Sequence, residues 1–245
     1  MVKVITNSQG KVYTAGGKAL ISVGGAPSGT ISITENGTYD VTDYASANVN
    51  VSGGGEFQLT RVKDDTNTEI GTHFMDFTDG NGQKYKVVCL DAQYRKTSTV
   101  WCSSTNTVTN MPLYGDLKTS NVWEAKETAT QNTQLILDFC SANGYTSTAC
   151  THCRSKSFVI NNTTYYGQLP NIIEVIHLAE HYNQFDALDT SASSHSSTNF
   201  SSSRSIWSSS QYSNYYGRYL SNNCNAGSTL KTDSYFTCPV LEIPY

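Results

Sequence analysis

Between Ser191 and Ser213, thirteen of twenty-three residues are serine, and from Thr190 to Gly217 the only formal charge is Arg204. A run so poor in apolar area cannot hold itself in one conformation, and alone it reads as disordered. Apolar anchors argue against that. Ile206-Trp207 lies inside the run, Tyr212, Tyr215, Tyr216 and Tyr219 follow within eight residues, and the chain closes on Tyr235-Phe-Thr-Cys-Pro-Val-Leu-Glu-Ile-Pro244. Anchors on both sides predict an ordered loop carried on a scaffold, which the rest of the chain must supply.

The first 55 residues cannot be that scaffold, because they are rich in Gly, Ser, Thr and Val and poor in large apolar side chains. Ile31 and Ile33 alternate with polar residues, Asn36-Gly37 is a strong hairpin turn, and Ala45, Ala47, Val49 and Val51 alternate again. Residues 1–55 therefore read as a small β-rich module closed by a Gly53-Gly54-Gly55 linker. From 56 to 245, aliphatic and aromatic residues are frequent enough for one domain with its own core. Phe74–Phe77, a turn at Asp79-Gly-Asn-Gly82, and Tyr85–Leu90 predict a hairpin. Leu135, Ile136, Phe139 and Cys140 share a helical face that ends at Asn143-Gly144. A second helix starts after Pro170, with Asn171 as N-cap and Glu174 three residues on, and carries Ile172, Val175, Ile176 and Ala179 on one stripe. Helices with several strands give an α+β class.

Charge excludes one function class. Charged residues make up 15% of the chain, with 16 basic against 20 acidic and no basic stripe, so nucleic-acid binding is not expected. The start, Met1 to Gly10, has no apolar core of a secretory signal, and no stretch approaches the length of a membrane span, so no membrane insertion is expected.

Several patterns bear on chemistry. His177-Leu-Ala-Glu-His181 fits the H-x-x-E-H form of inverted zinc peptidases, with His177 and His181 one helical turn apart, Glu180 between them and Glu242 as the sole later Glu for a third ligand. The competing explanation is a polar helix face beside the apolar stripe. Cys150-Thr-His-Cys153 has half a zinc site's spacing, and Cys140 with His152 could complete it, but the second C-x-x-C is missing and buried or loop thiols are preferred. With seven cysteines in all, a complete internal disulfide set is impossible. No G-x-S-x-G elbow and no phosphate loop is present. Asp186 and Asp189 read as loop caps, not calcium ligands.

The tyrosine and serine cluster carries a different signal. Tyr offers rigid amphipathic contact area with few rotors to freeze, and Ser, Gly and Asn add small adaptable hydrogen-bonding groups, the composition of antibody paratopes.

Two family resemblances follow. Ile31-Ser-Ile-Thr-Glu-Asn-Gly-Thr-Tyr-Asp-Val41 with Tyr44-Ala-Ser-Ala-Asn-Val-Asn-Val51 resembles a short module common in tail and baseplate-associated proteins of phages and prophages. Gly167-Gln-Leu-Pro170 with Glu174, then Ile206-Trp-Ser-Ser-Ser-Gln-Tyr212, then Lys231 and Cys238-Pro-Val240, resembles the C-type lectin fold of the bacterial and phage type over residues 70–245. That fold is shared with the variable proteins of diversity-generating retroelements, which this chain resembles. The resemblance implies a non-enzymatic, cofactor-free and metal-free binding protein of a phage tail, made in the bacterial cytoplasm and carried on the virion. Residues 1–55 would attach to tail or baseplate proteins, and 56–245 would bind a bacterial cell-surface receptor through a variable region spanning about 191–245. A homo-oligomer, a trimer by the resemblance, would add avidity.

Retroelement diversification randomises adenines, typically in AAC or AAT codons, which never yields Trp, Gln, Glu, Lys or Met. From Ser191 to Asn225 only Trp207 and Gln211 fall outside that set. Those two would then be scaffold, and Tyr212, Asn214, Tyr215, Tyr216, Arg218, Ser221, Asn222, Asn223 and Asn225 are the expected variable positions; together with Trp207 they are expected to make up the binding face. The cysteine pair of formylglycine-generating oxidases and the calcium signatures of animal lectins are not matched. Fixed surface adhesin and zinc hydrolase are the alternatives.

Overall fold

The computed structural model describes residues 3–6, 11–15, 18–21, 31–33, 49–51, 59–112, 126–180, 182–189, 191–200, 204–220 and 226–245. The chain divides into two compact units, Met1–Gln58 and Leu59–Tyr245.

In the first unit, β1 (Lys3–Thr6), β2 (Lys11–Ala15) and β3 (Lys18–Ile21) form an antiparallel sheet in sequence order. β4 (Ile31–Ile33) and β5 (Val49–Val51) pair in parallel, Ile31 opposite Val49 and Ile33 opposite Val51. β4 and β5 are therefore not the two arms of one hairpin, which would run antiparallel; parallel neighbours need a crossover of a dozen or more residues, and fifteen residues separate Ile33 from Val49. Asn36-Gly37, Ala45, Ala47 and the Gly53–Gly55 segment lie outside the described residues.

The second unit is built on two sheets. The four-stranded sheet runs β16-β8-β7-β6, from β6 (Thr60–Lys63), β7 (Glu69–Thr78), β8 (Lys84–Leu90) and β16 (Val240–Pro244), all antiparallel. β7 and β8 are the expected hairpin. Its turn is set by Asp79, whose Oδ1 accepts from the Asn81 and Gln83 amides at 2.8 and 2.9 Å, with Gly82 at φ 84°. The chain end adds to this sheet as β16, placing Leu241 opposite Val88.

The five-stranded sheet runs β14-β13-β12-β15-β9, from β9 (Lys96–Val100), β12 (Ile206–Gln211), β13 (Tyr216–Leu220), β14 (Ala226–Leu230) and β15 (Ser234–Thr237). All of its pairs are antiparallel except β12 with β15. A small hairpin, β10 (Ser157–Ile160) with β11 (Thr163–Tyr166), forms a two-stranded sheet of its own, with Phe158 and Ile160 packed against Ile70, Val88 and Leu241 of the four-stranded sheet. With α1 (Ala129–Asn143), α2 (Thr148–Arg154), α3 (Ile172–Glu180) and α4 (Tyr182–Leu188), the unit is α+β with mostly antiparallel sheets, as expected.

Both long helices begin where side chains satisfy their free amides. At α1 the Thr128 hydroxyl accepts from the Gln131 amide at 3.0 Å while Gln131 Oε1 accepts from the Thr128 amide at 3.2 Å. Its far end is Gly144 at φ 68°, the left-handed position that favours glycine. At α3 the Asn171 side chain accepts from the Glu174 amide at 3.0 Å and Glu174 Oε2 accepts from the Asn171 amide at 2.8 Å, the reciprocal cap anticipated from the sequence. Ile136 and Cys140 of α1 are buried with Leu135 and Phe139 packed alongside, and Ile172, Val175 and Ile176 of α3 are buried.

Two charged groups are buried beside these helices. Arg95 is held by Asp186 at 2.7 Å and the Leu90 carbonyl at 3.0 Å, and its guanidinium lies 4.0 Å over the Phe200 ring. Asp189 accepts from the Ser191 amide and hydroxyl at 2.8 and 2.7 Å. The second group is a carboxyl pair. Glu242 of β16 accepts from the Ala129 and Thr130 amides at 2.7 and 2.8 Å, the positive end of α1, and Glu174 contacts it from α3.

Burial, and then the neighbouring Glu242, push Glu174 well above the carboxylate range, and burial raises Glu242 as well. A folded-state value above the unfolded one means that the folded chain holds a proton the unfolded chain has released. This contribution to stability is complete below about pH 4.5 and is lost as pH rises through the raised values. Glu174→Gln keeps the acceptor for Asn171 and removes one titration. Its melting temperature should match the parent's near pH 5 and exceed it at pH 8; parallel curves for the two proteins would exclude a shared proton here.

Candidate binding face

The serine run is neither a loop nor exposed where it meets Trp207. All six residues of β12 are buried, and Ser208, Ser209 and Ser210 are internal connectors. The Ser208 carbonyl accepts from Trp101 Nε1 at 2.8 Å, the Ser209 amide donates to the Pro170 carbonyl at 2.6 Å, and Ser210 Oγ accepts from the Ile172 amide at 3.1 Å. Small polar side chains let this central strand lie directly against the start of α3.

Trp207 is fully buried. Its Nε1 donates to the Thr99 carbonyl at 2.9 Å, and its ring meets Tyr235 edge-on at 4.9 Å. The expected place for it at the binding face is therefore corrected: an indole enclosed on a central strand offers no surface to a partner and acts as scaffold. Gly217 of β13 passes between the two indoles, where a Cβ would sit 3.2 Å from both Trp101 and Trp207. Tyr219 stacks flat on Tyr235 at 4.9 Å, and its ring covers Gly227 on β14, where a Cβ would come within 2.7 Å of it.

Above this base lies the turn from β12 to β13. The Tyr212 and Ser213 amides both donate to the Tyr216 carbonyl, at 3.0 and 3.2 Å. The turn projects Asn214, Tyr215 and Tyr216; Tyr215 is 58% and Tyr216 39% exposed, with Leu230, opposite Tyr216 on β14, 39% exposed. Tyr216 meets Tyr212 and Tyr215 at steep ring angles, with centroids 6.2 and 6.4 Å apart. Tyr212 is half-buried. Arg218 is buried, with its guanidinium 4.5 Å over the Tyr212 ring, so it supports the tyrosine from below and is corrected from contact residue to support. Ser221, Asn222, Asn223 and Asn225 lie outside the described residues.

The turn rests on a buried cation, Lys231. Lys231 is fully buried, and its Nζ donates to the Asn106 carbonyl at 2.8 Å, the Gln211 Oε1 at 2.5 Å and the Asn214 carbonyl at 2.9 Å, 5.0 Å over the Trp101 ring. Its backbone amide donates to the Tyr215 carbonyl at 3.1 Å. Burial pushes its pKa down to about 8 against the opposing pull of Cys102 and Cys140. Gln211 also accepts from the Val108 amide at 2.9 Å, and Thr107 donates to Asn214 Oδ1 at 2.5 Å. The turn is thus fixed from the 102–112 segment, from β12 and from Lys231 together. Only the sequence order of Lys231 before Cys238-Pro-Val240 hinted at it.

The zinc alternatives gain no geometry. His177 is buried on α3, the Glu180 side chain and His181 are outside the described residues, and Glu242 is committed to the start of α1. His152 Nε2 lies 2.7 Å from the Tyr94 carbonyl, and Cys140 contacts Cys102. Among the described residues no group of three or more His, Cys, Asp or Glu is arranged to hold a metal ion. Among them, too, no helix is long and apolar enough to cross a membrane.

The arrangement defines an α+β domain with an aromatic, uncharged turn mounted on a rigid base. No family model matches the chain, and no curated protein matches it. Among solved structures it is similar to a fimbrial protein from Bacteroides ovatus ATCC 8483, with a TM-score of 0.53 at 12% identity over 84% of this chain and 52% of that one. The chain thus spans about half the length of that protein. The likeness is one of fold.

Proposed function

We propose that the chain is a non-enzymatic adhesin whose second unit is a C-type lectin-like domain that binds a bacterial cell-surface receptor, protein or glycan, through Asn214, Tyr215 and Tyr216. The observation that carries this is a pair of exposed tyrosines on a turn immobilised by the buried Lys231. Aromatic groups held in place before contact lose little freedom on binding, the condition under which a small uncharged surface gains affinity. A fimbrial protein as fold neighbour agrees with a binding role. In this proposal the protein belongs to a phage or prophage tail, the first unit attaches to tail or baseplate proteins, the oligomer is a trimer, and a retroelement diversifies the turn and the segment after it.

The joint variant Tyr215→Ala/Tyr216→Ala should lose at least tenfold in adsorption to host cells, at about 1–2 kcal/mol per anchoring tyrosine, while its melting temperature stays within about 2 °C of the parent because both side chains are exposed. Unchanged adsorption would overturn the proposed face. A reverse transcriptase and a near-repeat of the terminal coding segment beside the gene would support diversification; without them the chain is a fixed adhesin.

A further inference from the structure

Among the described residues, six cysteines are free thiols and all are buried, but they are not scattered. Cys102 and Cys140 have sulfurs 3.5 Å apart, and Cys89 and Cys238 have sulfurs 3.4 Å apart. Each pair joins segments far apart in sequence. The first pair borders the binding face. Cys102 opens the segment whose Asn106, Thr107 and Val108 hold Lys231, Asn214 and Gln211, and its amide donates to the Lys231 carbonyl at 3.0 Å. Cys140 lies in the last turns of α1, the longest helix among those described.

From this placement we infer that Cys102 and Cys140 are a modification site: a dithiol that closes to an intramolecular disulfide when the protein meets a small-molecule disulfide such as oxidised glutathione, tying the support of the binding turn to α1. The sulfurs, 3.5 Å apart, need to close by only about 1.5 Å to reach the bond length of about 2.05 Å, a distance within reach of side-chain rotation. The two pairs differ in reactivity. The contact with Cys140, the Ser104 amide and the Lys231 ammonium bring the Cys102 thiol down to about 7, whereas burial pushes Cys89 far up. A thiolate is the attacking species, so Cys102 reacts first.

The reaction balances as two exchanges. Cys102 thiolate attacks one sulfur of the small disulfide, forming a mixed disulfide and releasing one small thiolate. That thiolate takes the Cys140 proton, Cys140 sulfur attacks the Cys102 sulfur, and the second small thiolate leaves and takes up the Cys102 proton from solvent. The protein dithiol is oxidised by two electrons and one small disulfide is reduced to two thiols. Access to Cys102 comes from local opening of the 102–112 segment, which carries no helix or strand.

The test uses the full chain, purified reduced, exposed to oxidised glutathione at pH 7.5, then alkylated in denaturant and mapped by mass spectrometry without reduction. The expected product is a Cys102–Cys140 cross-linked peptide, with a melting temperature raised by roughly 10 °C for a loop of this length and restored by dithiothreitol. In Cys140→Ser the same treatment should leave Cys102 as a glutathione adduct. Alkylation of both residues as thiols, or a cross-link to other cysteines, overturns the inference. Because the readout is covalent, failure of the adsorption test leaves this result untouched, and the reverse also holds.

Discussion

Trp207→Ala is expected to destabilise the Leu59–Tyr245 unit by about 3–5 kcal/mol, the range for a large aromatic removed from a closed core. Three losses coincide. The ring surface against Gly217 and Tyr235 becomes a cavity, the Thr99 carbonyl loses its donor, and Tyr235 loses the edge that its ring meets while still stacked on Tyr219. Thr99 is itself tied to Thr237 across β9 and β15 by hydroxyl contact, so the damage spreads from β12 across β15 to the edge strand β9. Urea unfolding should show a lower midpoint with an unchanged slope, and the melting temperature should fall by roughly 10 °C. A surface contact would give the opposite pattern, with adsorption lost and stability kept. Trp207→Phe should recover part of the loss, since it refills most of the volume but cannot donate to Thr99.

The parts of this fold that were legible in the sequence are those where one residue type has one local job. Asn171 with Glu174 announced a helix start, Asn143-Gly144 a helix end, and Asp79-Gly-Asn-Gly82 a hairpin turn, because caps and turns are decided within a few residues. β4 and β5 were legible as strands but not in their direction, since alternation gives a face and never a partner. The serine run misled more seriously. Serine composition reads as surface, yet Ser208, Ser209 and Ser210 are enclosed because small residues allow β12 to meet Pro170 and Ile172 closely. At the site, Tyr215 and Tyr216 stood out by type. Arg218 is compatible with the diversified codon set and Trp207 lies inside the serine run, which is why the sequence puts both at the face; only the packing shows that both are buried. The cluster around Lys231 was beyond reach, since its partners Asn106, Gln211 and Asn214 are brought together only by three separate segments.

Lys231→Met should show how much of the binding face that cluster holds. The substitution keeps the length of the stem over Trp101 and removes all three donors, leaving the Gln211 amide oxygen and two carbonyls without their cation. Each buried acceptor stripped of a partner costs about 1–3 kcal/mol, offset by no longer burying an ammonium, so a net loss of roughly 2–4 kcal/mol is expected. Local effects should exceed the global one: amide exchange at Tyr212 to Tyr216 should quicken, and adsorption should weaken although Tyr215 and Tyr216 are intact. Titration separates the cation from mere packing. Because folding lowers the amine from 10.5 to about 8, the unfolded chain holds a proton that the folded chain has released between those values, and stability gains from this group as pH rises through that window. The methionine variant lacks that gain, so the stability difference between the two proteins should widen from pH 8 to 10.5. Above pH 8, however, the neutral amine has only two hydrogens for three acceptors, so the same proton loss that relieves burial loosens the turn. Adsorption by the parent should then decline through pH 8 while its stability does not, and a decline of both together would mean that Lys231 supports the core and not the tyrosines above it.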